Sequence, residues 1–106
     1  MTETLDWERL FDCLRAETRR RLLVALLECD PQEHVVASDA LQPTDRDPSE
    51  IHIELKHIHL PKLADAGYIT RGSDPYVISR GPRFDAVESV LEALRNNHED
   101  IPSAWL

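Results

Sequence analysis

Residues 48–69 read PSEIHIELKHIHLPKLADAGYI, and the fold turns on whether this stretch is a helix. The start is well marked. Asp47 suits an N-cap, Pro48 suits the first helical position, and Glu50 lies where a capping box puts its acid. Gly67 suits the left-handed residue that ends a helix, so one helix is expected to run to about Ala66. Within it stand His52, His57 and His59, together with Glu50, Glu54, Lys56, Lys62 and the interior Pro61.

At about 100° per residue the stretch sorts into stripes. Glu50, Glu54, His57, Pro61 and Asp65 share one, and His52, Lys56 and His59 share another. Ile51, Leu55 and Ile58 form an apolar third, and Ile53, Leu60 and Ala64 an apolar fourth, with Leu63 between the second and fourth. Two apolar stripes on one helix need two partners. A bend at Pro61, which lacks a backbone donor and crowds the preceding turn, would turn both toward one core. A seam with a second chain is the competing explanation.

The histidines are poorly spaced for a metal on a helix. His57 and His59 point roughly 160° apart, and His52 and His59 lie about 10 Å apart along the axis. Zinc-binding helices use i, i+3 or i, i+4 pairs. Only on a strand, which the alternation of Ile51, Ile53 and Leu55 would also fit, do His57 and His59 share a face. No metal and no cofactor is expected.

Upstream, residues 4–14 follow helical spacing through Leu5, Leu10, Phe11 and Leu14, with Thr4 or Asp6 as cap. Residues 17–28, within ETRRRLLVALLECDP, give a wide apolar face through Leu22, Leu23, Leu26 and Leu27. Asp30-Pro31 ends that helix. Residues 32–47, QEHVVASDALQPTDRD, hold a candidate strand (HVVA), a stunted helix with Ser38 as cap (SDAL) and an acidic loop. Downstream, YITR and YVISR read as two short strands joined by GSDP. Gly81-Pro82 then opens a last helix, about 82–98, with Phe84, Val87, Leu91 and Leu94 on one face. An apolar tail, 101–106, closes the chain.

The 106 residues suit one domain, 1–106, and 42% hydrophobic content suits one modest core. The expected class is mainly α with a small β-hairpin. Helix, helix, an ill-defined stretch, helix, hairpin, helix is the order of a winged helix domain. No apolar run is long enough to span a bilayer, and the acidic N-terminus lacks a signal-peptide core, so a cytoplasmic protein is expected. Cys13 and Cys29 make no disulfide framework; small buried side chains are the plain reading and a redox switch the sharper one.

Charge is lopsided: 20 acidic against 12 basic residues, net −8, with ten of the basic residues Arg and only two Lys. An acid-rich, Lys-poor chain suits a salt-filled cytosol and a halophilic source; an acidic mesophilic protein is the plain alternative. The balance argues against purely electrostatic binding of nucleic acid. No phosphate loop or nucleophile motif is present, so no enzyme and no catalytic residue is expected.

CLRAETRRRLLVALLECDP resembles the second-helix signature of ArsR-like winged helix-turn-helix regulators. HLPKLADAGYI resembles the end of their recognition helix entering the wing. Together with RGPRFD and the closing Trp-Leu, the chain is similar to short halophilic-archaeal winged-helix proteins, over nearly all its length except residues 32–47. The metal-sensing members carry a Cys-rich motif before the recognition helix; residues 35–41 hold no Cys, so metal sensing of that kind is not implied. The positioning helix is short or missing.

The resemblance implies a transcription regulator that binds double-stranded DNA as a homodimer. His52, Lys56, His57 and His59 on the central helix are the candidate groove contacts, and Arg71, Arg80 and Arg83 about the hairpin the candidate phosphate contacts. The arginines have a plain alternative, pairing with Asp74 and Asp85; the Glu stripe is read as a solvated face. Leu5, Phe11, Val87, Val90, Leu91, Leu94 and Trp105 are the implied dimer interface. Arg19, Arg20 and Arg21 sit unfavourably at a helix N-terminus, so Glu17, Asp12 or a bound phosphate must offset them. A protein-interaction module on the same scaffold is the runner-up, and a redox- or metal-responsive switch the third reading.

Overall fold

Asp6 opens the first helix: its carboxylate accepts from the Arg9 amide at 3.1 Å, which places the cap two residues later than Thr4. The computed structural model describes residues 5–72 and 76–101; Thr4, Asp74, Trp105 and the rest of the tail beyond Ile101 lie outside the described residues. Helix α1 (Trp7–Leu14) buries Leu10, Cys13 and Leu14. It meets α2 (Glu17–Glu28), whose Leu22, Leu23 and Leu26 are fully buried.

The ill-defined stretch resolves into two short elements. Val35–Val36 is strand β1, and α3 (Ala37–Ala40) is one turn of helix that starts just before Ser38, so Ser38 is not its cap. The Ala37 amide donates to the Tyr76 carbonyl at 2.7 Å, fixing that turn to the sheet. Strand β1 pairs antiparallel with β3 (Val77–Arg80), which also pairs with β2 (Ile69–Arg71), giving the order β1-β3-β2. The expected hairpin is therefore two-thirds of a three-stranded antiparallel sheet.

Asp47 caps the central helix through the Ser49 amide at 2.9 Å, and Pro48 stands in its first turn. The helix is continuous but not uniform: α4 (Pro48–Glu54), a π-helical turn (Leu55–His59) and α5 (Leu60–Asp65). The Leu60 amide bonds to the Leu55 carbonyl, five residues back. Pro61 explains the position of this turn. Its ring would press on the His57 carbonyl of a regular helix and offers that carbonyl no donor; a wider turn relieves both.

Five residues now fill the turn where four normally do. Every later side chain is rotated back by one position. Leu60 and Leu63 therefore occupy the core-facing phases set by Ile51 and Leu55, and all four are buried. Instead of bending both apolar stripes toward one core, the helix switches from one stripe to the other, leaving Ile53 60% and Ile58 47% exposed.

Gly67 ends the helix at φ 81°, with Tyr68 donating to Leu63 and Gly67 to Ala64, a Schellman closure. The turn after β3 lies directly on this closure. Gly81 donates to the Tyr68 carbonyl at 3.0 Å, and a Cβ on Gly81 would stand 2.4 Å from the Gly67 oxygen. That contact positions α6 (Phe84–Asn96), whose Phe84, Val87 and Leu91 enter the core; a short 3-10 turn, His98–Asp100, follows.

Candidate nucleic-acid interface

The outward face of the central helix carries Ser49, Glu50, His52, Ile53, Lys56, His57 and Ile58, all exposed. Two side-chain contacts brace it. The His52 ring stacks on Tyr76, centroids 4.6 Å apart and planes 26° from parallel, so the N-terminal half of the helix is tied to the start of β3. Arg46, from the acidic loop, grips Glu54 with both guanidinium nitrogens. That hydrogen bond holds the Glu54 carboxyl below its ordinary range. Asp47 is likewise held low, by its bonds to Ser49.

His59 does not join this face. It is 7% exposed, with Nδ1 2.9 Å from the Arg19 guanidinium and Nε2 3.5 Å from Glu54. The extra residue in the π turn carries it inward, away from His52 and Lys56. Arg80 is corrected in the same way. Its guanidinium donates to the carbonyls of Leu26, Leu27 and Cys29, pairs with Glu88 at 2.9 Å and lies 4.6 Å over the Phe84 ring. It closes the C-terminal end of α2 and is spent there. Asp85, a proposed partner, instead accepts from the Ala86 amide. Arg83 lies across Gly67, its side-chain carbons 2.9 Å from where a Cβ would be. Arg71 is half-buried on β2. The groove candidates that remain on the surface are His52, Lys56 and His57.

Two arginines of the cluster turn back onto the end of α1, where, after the Lys62 contact, the Arg19 charge also helps lower the Asp12 pKa. Arg19 donates to the carbonyls of Cys13 at 2.9 Å and Asp12 at 2.8 Å, and Arg20 to those of Leu14 at 2.8 Å and Arg15 at 3.0 Å. These are the orphan carbonyls at the end of α1, so Arg19 and Arg20 form a C-terminal cap supplied by the next helix, while Arg21 reaches the Gln42 carbonyl at 3.4 Å. Lys62 reaches Asp12 from α5, and this contact lowers the Asp12 pKa. Sequence periodicity missed this network; the clash implicit in Pro61 was the one signal of the turn that builds it.

The expected dimer residues divide. Val87 and Leu91 are 0% exposed and belong to the core, so they cannot also line a seam. Leu5 and Val90 pack at its edge. Phe11 is 62% exposed and stands 5.8 Å, centroid to centroid, from the Trp7 ring. Trp7, Val90, Ala93, Leu94 and Ile101 line an open apolar groove of about 460 Å³ along α6.

Both cysteines are free thiols. Burial pushes the Cys13 pKa up, and the Cys29 thiol points to the Leu26 carbonyl at 3.4 Å. Among the described residues no group of three or more His, Cys, Asp or Glu is placed to hold a metal ion. Nor, among them, is any helix long and apolar enough to cross a membrane. Compared with protein-family models, with curated proteins and with solved structures, the chain matches none. What stands is a mainly helical domain with a small three-stranded antiparallel sheet, carrying a helix with one polar outward face.

Proposed function

We propose that the chain is a winged helix-turn-helix regulator of the ArsR-like, halophilic-archaeal type that binds double-stranded DNA as a homodimer in the cytoplasm. The observation that carries the reading is the exposed set His52, Lys56 and His57 on the outward face of a helix braced against the hairpin through Tyr76. A rigid helix with donors in its N-terminal half is what a major groove admits. Arg71 and the hairpin then meet the phosphate backbone. With only two lysines in a chain of net charge −8, direct contacts and groove shape must contribute more than counterion release. Neither catalysis nor a cofactor forms part of the proposal.

Duplex binding measured across a potassium chloride series tests it. Binding that survives high salt and weakens in Lys56→Ala and His57→Ala supports it; no binding even at low salt removes it. The second reading, a protein-interaction module, is favoured by the exposed Asp45, Asp47 and Glu50 at the start of the same helix. Charge reversal at Glu50 separates the two, since Glu50→Lys strengthens DNA binding and weakens a basic protein partner.

A further inference from the structure

We propose that Ile53 and Ile58 read the 5-methyl groups of thymines in the major groove, a specificity that rests on the DNA-binding reading above. The π turn leaves these two side chains in solvent, at 60% and 47% exposure, while Leu60 from the Ile53 stripe and Ile51 and Leu55 from the Ile58 stripe are buried. Exposed Lys56 and His57 stand between Ile53 and Ile58, and His52 and Ser49 flank Ile53. Two isolated isoleucines fall far short of the roughly 800 Å² that each partner buries in a stable protein interface.

A thymine methyl is the one apolar group on a major-groove base edge, and an aliphatic side chain is its natural contact. The pattern of single apolar side chains among hydrogen-bond donors matches such an edge, in which methyls alternate with acceptors. Five residues of helix rise about 7 Å, close to the height of two base-pair steps. Five residues also turn the side chain by roughly 140° in a regular helix, and by less across the wide π turn, so the two isoleucines address thymines toward opposite walls of the groove, with His57 donating between them.

The test begins with duplexes enriched by the protein itself from a random-sequence library. Each thymine of an enriched duplex is replaced in turn by deoxyuridine, which removes the methyl and leaves the pairing intact. The expected result is a loss of about fourfold in affinity at each of two positions, the worth of one buried methyl. Ile53→Ala abolishes the loss at one position and Ile58→Ala at the other; both residues are exposed, so both variants melt as the wild type does. Equal binding of thymine and uracil duplexes overturns the proposal but leaves DNA binding intact. Methyl sensitivity that persists in both variants also overturns it. No duplex bound at any salt overturns it together with the DNA reading. Variants that alter sedimentation of the protein alone, and not base preference, assign the isoleucines to a protein seam instead.

Discussion

Arg19 and His59 set the chemistry of the interior by a simple asymmetry: guanidinium only donates, so His59 Nδ1 must accept from it, at 2.9 Å. The ring proton then sits on Nε2, facing Glu54 at 3.5 Å, and the imidazole is neutral. Burial first, and the neighbouring Arg19 charge second, lower the His59 pKa below its ordinary 6.5. Below that ordinary value the unfolded chain binds a proton that the folded chain refuses. Stability from this site is therefore complete above about pH 6.5 and is lost as pH falls toward the depressed folded value. Denaturant midpoints should drop between pH 7 and 5 in the wild type. His59→Gln, whose amide can both accept from Arg19 and donate to Glu54, should flatten that drop; an unchanged slope would refute the assignment. Asp12, Asp47 and Glu54, held below 3.8, 3.8 and 4.5, act in a separate window at lower pH. Arg80 poses the related question of contact against cap. Arg80→Ala exposes three carbonyl groups and an unpaired Glu88, and should cost about 3 kcal/mol of stability, while Arg71→Ala should cost under about 0.5 kcal/mol. An Arg80 variant that melts normally but loses DNA would restore it to the interface. Sequence placed His59 and Arg80 among the DNA contacts because donors that suit a phosphate equally suit orphan carbonyls and buried rings. Nothing local distinguishes the two uses.

At the scale of elements, ends were legible and pitch was not. Asp47, Pro48 and Gly67 announce the bounds of the central helix because caps depend on one or two residues. Likewise the leucines of α2 and Phe84, Val87 and Leu91 of α6 follow a constant period into the core. The π turn breaks the assumption on which periodic reading rests, that each residue turns the helix equally. From the end of that turn onward the inferred faces were one position out, which is why His59 was drawn outside and Leu63 was set between two stripes. Strand β1 and α3 were faint for another reason: at two and four residues they hold no period, and backbone pairing to β3 and Tyr76 defines them. The phase argument makes a sharp prediction. Deleting Ile58 removes the extra residue, returning His59, Leu60 and Leu63 to the positions i+7, i+8 and i+11 from Ile51 in a regular helix. That variant keeps its core faces but sets Pro61 against the Lys56 carbonyl of a regular helix, so it should stay folded at a cost of about 3 kcal/mol. Deleting Ala64, beyond the turn, displaces Ala66, Tyr68 and Ile69 from their buried places and should abolish cooperative melting. Equal damage from both deletions would show that the π turn is not a simple one-residue insertion.

Two surface properties of the whole molecule oppose each other. The net charge of −8 drives copies apart. The large aromatic side chains Trp7 and Phe11, at 53% and 62% exposure, stand on α1, and Trp7 leads into the apolar groove along α6, a surface whose burial would favour contact between copies. Salt acts on the first and not the second: the screening length shrinks from about 10 Å at 0.1 M to about 3 Å at 1 M, while apolar burial persists. Self-association through this surface should therefore strengthen as potassium chloride rises, and sedimentation at fixed protein concentration should move from monomer toward dimer. Phe11→Glu with Leu94→Glu should hold the chain monomeric at every salt while leaving its melting near that of the wild type. Val87→Glu, a charge placed in the core, should unfold it, which separates seam from core on the same helix. DNA binding runs the other way, since cation release at the phosphates weakens with salt. If the dimer is the binding form, duplex affinity should pass through a maximum along the salt series. The monomeric double variant should show only the monotonic fall. A monotonic fall in the wild type as well, or a wild type that sediments as a monomer in molar salt, would separate DNA recognition from the α1–α6 surface and leave that groove without a second copy.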